Sequence, residues 1–129
     1  MLALHHLNHA AQPKVVLIAP ATESTTAADN FFDFLQLPEK LRAAFERKVQ
    51  QVGGVPLQWY SISRVLHEVG GEILWLHDEE DKVTPIKDVY PLMDPHPPHV
   101  HFYFTKGLGH SRIYYDNKVR KMILEFLDK

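Results

Sequence analysis

Residues 72–85 read "EILWLHDEEDKVTP". The first five are apolar apart from Glu72 and are bounded by the glycines at 70 and 71, the pattern of a buried strand. The strand runs into four carboxylates within four residues, Asp78 to Asp81. Carboxylates at the end of a buried strand need water, a partner or a chemical role. Residues 105–116, "TKGLGHSRIYYD", sharpen the question. They follow a second apolar stretch, "HVHFYFT" (99–105), and place His110 on a turn bracketed by Gly107 and Gly109. An acid and a base thus fall at the ends of consecutive strands.

Outward from these stretches, the chain reads as one α/β domain. At 129 residues it is near the commonest domain size, and 45% of its residues are apolar, enough for a core. The formal net charge is −2 with both signs interspersed, which favours neither nucleic acid nor an anionic membrane as partner. Cysteine is absent, so thiol catalysis and disulfides are excluded, in keeping with a cytoplasmic location. The start, "MLALHHLNHAAQPK", lacks the basic segment and long apolar run of a signal peptide, and no stretch is long enough to span a membrane.

"MLALHHLNHAAQ" has helical spacing and stops at Pro13. "KVVLIAP" (14–20) is a β-branched run of the kind buried on both faces of a parallel sheet. Two helices are expected next, one over "AADNFFDFLQL" capped by Ser24, Thr25 or Thr26, and one from Pro38 to Gly53 with a stripe of Leu41, Phe45, Val49 and Val52. A third helix is expected over "LQWYSISRVLHEVGG" (57–71), a short one at "PIKDVYPLM", and a closing one over "SRIYYDNKVRKMILEFLDK". Three buried strands separated by helical crossovers imply a three-stranded parallel sheet flanked by helices. The first crossover exceeds what one helix needs. The surplus, 21–57, is read as a helical cap insertion over the strands' carboxyl edge, with 1–20 and 58–129 forming the core of a single domain.

In open α/β sheets, ligands bind beyond the carboxyl ends of the strands, where Asp81 and His110 both fall. A carboxylate that accepts from one imidazole nitrogen fixes the tautomer, and the other nitrogen can take a proton from a hydroxyl nucleophile. Here the sequence resembles the C-terminal half of the α/β-hydrolase superfamily. "HDEEDKVTP" is similar to that family's acid loop, His-Gly-x-x-Asp followed by Val and Pro, with Asp78 in place of the usual Gly. "GLGHSR" resembles its histidine loop, "KVVLIAP" the strand after the nucleophile strand, and "LALHHLNHA" the helix after the nucleophile. The resemblance implies Asp81 as triad acid and His110 as triad base, hydrogen-bonded to each other, with no cofactor or metal and a small acyl or ester substrate.

The nucleophile of that family sits in a Gly-x-Ser-x-Gly turn, and the four serines, Ser24, Ser61, Ser63 and Ser111, have no such context. By the helix register the turn belongs about ten residues before Met1. Two readings follow. In the first, the chain is the C-terminal portion of a serine hydrolase acting on an ester or related acyl bond, inactive alone. In the second it is a non-catalytic interaction module, or a truncated gene product, that forms a homodimer through the open edge of the strand Val15 to Ala19.

Other groupings carry less. His5 and His9 lie at i, i+4 helical spacing with His6 nearby, but the third and fourth ligands of a metal site are not specified, and surface placement accounts for them. His96, His99 and His101 occupy a stiff proline-rich connector. Ser111 adjoins His110 but is poorly placed to offer its hydroxyl to a neighbouring ring. Phe31, Phe32, Phe34, Trp59 and Tyr60 serve equally as lining of an acyl pocket or as the small core of a cap.

Overall fold

A computed structural model describes residues 13–129. The expected helix over 1–12, its likeness to the post-nucleophile helix, and the triplet His5, His6 and His9 lie outside the described residues. Three strands, β1 (Val15–Ile18), β2 (Ile73–Asp78) and β3 (Val100–Thr105), form one sheet in the order β1-β2-β3. Both pairings are parallel, with Val15 beside Ile73 and Ile73 beside Val100. Helices α1 (Ser24–Phe34) and α2 (Glu39–Gly53) lie in the chain between β1 and β2. After β3 come a four-residue helix α3 (Gly109–Arg112) and the closing helix α4 (Asn117–Asp128).

The central strand explains the layers. All six residues of β2 are buried, and successive side chains point to opposite faces. Ile73 and Trp75 face a layer of Val65, Leu66, Val69, Ile86, Val89 and Leu92. Leu74 and Leu76 face the other layer, with Ala19, Ile113 and Val119 and the partly buried Met122, Ile123 and Phe126. The continuous apolar run therefore belongs to a strand covered on both sides, as expected for a parallel sheet.

The helical expectations need correction in several places. Residues 57–71 form two 3-10 turns, Leu57–Tyr60 and Ile62–Arg64, followed by irregular turns. Long-range hydrogen bonds win here. Ser61 is extended (φ −68°, ψ 140°), its hydroxyl oxygen accepts from the Ser24 N–H at 3.0 Å, and the Ile62 N–H donates to the Thr22 carbonyl at 2.9 Å. "PIKDVYPLM" is likewise a pair of 3-10 turns, Ile86–Asp88 and Tyr90–Met93. The α1 N-cap is Glu23, without a side-chain cap, because the Ser24 hydroxyl donates to the Leu57 carbonyl at 2.7 Å instead. The left-handed residue closing α2 is Gly54, one past the expected Gly53. Its apolar stripe is largely uncovered among the described residues, with Val52 76% exposed. The closing helix starts at Asn117, where the Asp116 carboxylate accepts from the Val119 N–H at 3.0 Å.

Along β1 the N–H groups of Val15 and Ala19 donate to β2-side carbonyls of Glu72 and Leu76. The strand's alternation then turns the peptide groups of Val16 and Ile18 away from β2. One of them is engaged: the Tyr114 hydroxyl donates to the Ile18 carbonyl at 3.0 Å. The far side of β1 is thus a partly blocked edge among the described residues, not the fully open one expected.

Candidate active site

The carboxyl ends of β2 and β3 carry the two loops singled out above. The β2 loop is organised by Asp81, 5% exposed. Its Oδ1 accepts from the Val83 and Thr84 N–H groups, both at 2.8 Å. Its Oδ2 accepts from the Thr84 hydroxyl at 2.9 Å and from His110 Nδ1 at 2.9 Å. A carboxylate facing Nδ1 places the ring proton there. Gly107 and Gly109 both have positive φ, 81° and 68°, and this left-handed backbone folds the β3 loop back so that His110 reaches Asp81. The other ring nitrogen of His110 has no hydrogen-bond partner among the described residues.

His110 lines a cavity of about 680 Å³, together with Ala19, Phe31, Phe34, Val83 and Tyr114. The α1 residue Asn30 also lines it, and its side-chain amide donates to the Val83 carbonyl at 2.8 Å. A polar rim is supplied by Asp33 and Lys82. The aromatic residues of 31–60 therefore divide. Phe31 and Phe34 line the cavity, whereas Phe32 packs on Phe45, and Trp59 meets Tyr60 edge-on and carries the Arg64 guanidinium over its ring.

Asp78, in the position of the expected glycine, is completely buried. Its Oδ1 accepts from the Glu80 N–H at 2.9 Å, and its Oδ2 accepts from the Thr105 hydroxyl at 2.6 Å and the Leu108 N–H at 3.0 Å. It joins the acid loop to the histidine loop, a role that reading it as a member of an acidic cluster does not reveal. Burial pushes the carboxyl of Asp78 up, but the Thr105 hydroxyl and the Gly109, Leu108 and Glu80 N–H groups outweigh it and hold the group below the usual range. Asp81 is also held low. Burial again opposes, and the Thr84 N–H, His110, the Thr84 hydroxyl and the Val83 N–H prevail.

His77, also fully buried, was not singled out by its sequence context. The Trp75 indole N–H donates to its Nδ1 at 3.3 Å, and its Nε2 lies 2.6 Å from the Thr84 carbonyl. The connector histidines are dispersed among separate partners. His96 reaches the Val100 carbonyl at 2.9 Å, His99 the Leu66 carbonyl at 3.1 Å, and His101 the Glu72 carboxylate. Among the described residues no three metal-ligating side chains converge. Of the serines, Ser24 and Ser61 bond each other at 2.9 Å, and Ser111 is exposed.

Three parallel strands flanked by helices define a partial α/β fold. Two crystal forms of the Pyrococcus furiosus esterase Pf2001 overlay on it with TM-scores of 0.65 and 0.63, at 18% and 11% identity, covering 98% of this chain. The chain spans about half the length of that esterase, 49% in one form and 48% in the other. No family model and no curated protein matches the sequence. Among the described residues, no helix is long and apolar enough to cross a membrane.

Proposed function

We propose that these residues are the base-and-acid half of a serine-hydrolase site for small acyl or ester substrates. One observation carries the reading: His110 Nδ1 is 2.9 Å from Asp81 Oδ2, and the same imidazole opens onto a cavity walled mainly by apolar side chains. In this assignment His110 takes the proton of an attacking hydroxyl and Asp81 steadies the resulting imidazolium. The oxygen–carbonyl bond forms first. The tetrahedral intermediate then expels the alcohol, which leaves with the proton held by His110. Helices α1 and α2 act as a cap, with Phe31 and Phe34 against the acyl group.

In this assignment the nucleophile sits in the turn after a strand lying beside β1, and the oxyanion donors are the amide that follows it and one from an earlier strand-to-helix loop. A fluorophosphonate probe is therefore expected to leave the 129 residues unlabelled. It is expected to label a polypeptide in which a strand and a Gly-x-Ser-x-Gly turn precede them. Labelling of the 129 residues that vanishes when one of their four serines is replaced would sink this assignment.

A second reading rests on the peptide groups of Val16, which face away from β2. In it, two copies pair antiparallel along β1 about a two-fold axis. The Tyr114 hydroxyl competes for the Ile18 carbonyl that such pairing uses. Light scattering at micromolar concentration is expected to show a dimer, strengthened by Tyr114→Phe. A monomer in both proteins would end this reading.

A further inference from the structure

Thr84 is the residue on which the polar groups at the carboxyl end of the sheet converge. Its N–H donates to Asp81 Oδ1 at 2.8 Å. Its hydroxyl oxygen lies 2.9 Å from Asp81 Oδ2, 3.2 Å from His110 Nδ1 and 3.2 Å from the Ala19 carbonyl. Its own carbonyl faces His77 Nε2 at 2.6 Å. An indole N–H can only donate, so Trp75 makes Nδ1 of His77 the acceptor and leaves the proton on Nε2. His77 Nε2–H therefore donates to the Thr84 carbonyl. A hydrogen-bonded series runs from the buried Trp75 and His77 through Thr84 to Asp81 and the partly exposed His110.

A hydroxyl has one proton to give and three neighbours here. The His110 Nδ1–H is itself a donor, which leaves Asp81 Oδ2 and the Ala19 carbonyl as acceptors. The carboxylate is charged and nearer, so it takes the proton. The His110 Nδ1–H then lies between two oxygens, Asp81 Oδ2 at 2.9 Å and Thr84 Oγ1 at 3.2 Å. Ala19, which follows β1, adopts a left-handed conformation (φ 47°) that alanine rarely holds. Its N–H donates to the Leu76 carbonyl at 2.8 Å, and its carbonyl abuts the same threonine. The cavity wall and the acid loop are thus joined at this side chain.

We propose that Thr84 is a positioning residue for the Asp81–His110 pair: its hydroxyl shares the charge of Asp81 Oδ2 with His110 and fixes the angle of the imidazole. The proposal deepens the hydrolase reading and takes from it the role of the pair. It does not take its evidence from that reading, because the geometry stands without a substrate. The titratable groups near the pair are His77, with Nε2 3.8 Å from Asp81 Oδ2, and Asp33, Lys82 and Tyr114 on the cavity wall.

The alternative is a threonine that merely closes its own loop. Thr84→Val separates the two, since valine keeps the volume and the N–H bond to Asp81 and loses only the hydroxyl. The readouts are the Asp81 carboxyl titration by carbon NMR and the His110 Nδ1 proton resonance at neutral pH. Without the hydroxyl, Asp81 loses one donor, and its titration midpoint is expected to rise by about half a unit or more. The His110 Nδ1–H then bonds to Asp81 alone, and its resonance moves to lower field. Thr84→Ser keeps both readouts at their wild-type positions. If the valine variant does not fold, Thr84→Ala takes its place with the same expected shifts. Wild-type readouts in the hydroxyl-free variant, or a serine variant that behaves like it, overturn the proposal. Absent hydrolysis in a polypeptide that also contains the nucleophile turn, alongside the expected shifts, would count against the hydrolase reading alone.

Discussion

Asp78→Ala is expected to lower folding stability by about 3 kcal/mol, measured by urea or guanidinium unfolding. The carboxylate is fully buried and takes three donors from three segments: the Glu80 N–H, the Thr105 hydroxyl and the Leu108 N–H. Alanine removes the acceptor from all three, and the penalty of an unpaired buried donor exceeds the net worth of the bond. Asp78→Asn keeps the shape and one acceptor oxygen but turns an amide N–H₂ toward a donor, so roughly half the loss is expected. The pH dependence identifies the carboxylate. The folded-state pKa of Asp78 lies below its ordinary value of 3.8. Its stabilisation is therefore complete above the unfolded value and is lost as pH falls through the lower folded value. The gap between wild type and Asp78→Asn should accordingly narrow from about pH 4 downward. A gap that stays constant from pH 6 to pH 2 would show that the charge is not the source.

Asp81→Asn is expected to lower kcat by about 10⁴-fold in a polypeptide that contains the nucleophile, with a smaller effect on KM. Asparagine is close to aspartate in shape, and its amide oxygen can still receive the Val83 and Thr84 N–H groups. Its N–H₂ then faces His110, and two donors oppose each other where Oδ2 now receives Nδ1 at 2.9 Å. The imidazole answers by moving its proton to the other nitrogen, the one that would have to accept from the hydroxyl nucleophile. Geometry survives while the base is lost. Ester turnover measured on Asp81→Asn beside His110→Ala provides the check. Both should fall, His110→Ala further than Asp81→Asn, because removing the base costs more than removing the group that orients it. An Asp81→Asn protein that retains most of its kcat would remove Asp81 from the catalytic pair.

The sheet was legible because its signal is local. "KVVLIAP", "EILWLH" and "HVHFYFT" are short apolar runs, and a parallel strand covered on both faces needs little else. The contact between Asp81 and His110 was legible for a different reason. Each lies in a recognisable loop, and parallel connectivity brings consecutive strand ends side by side. What remained hidden depends on groups far apart in the chain. Nothing near Ser61 announces Ser24, and their bond is what unmakes the expected helix over 57–71. Nothing near Asp78 announces Leu108 or Thr105. His77 resembles any strand residue until Trp75, two positions earlier on the same face, is seen to fix its tautomer. Thr84 could have been suspected from its place three residues after Asp81, the spacing at which a hydroxyl returns to a loop carboxylate.

Val83 has one peptide group on each side of an otherwise distant relationship. Its N–H is held by Asp81, and its carbonyl is held by Asn30, 53 positions earlier in the chain. The acid loop therefore carries an imprint of α1, and recombination between distant relatives would feel it. A 21–57 segment exchanged as a block brings its own helices but not necessarily an amide donor at the Asn30 position. A chimera lacking that donor hands the exposed Val83 carbonyl to water and unties the loop of Asp81 from α1. Diversity in the helical segment is then constrained at one point by a backbone atom belonging to the other side of the cavity.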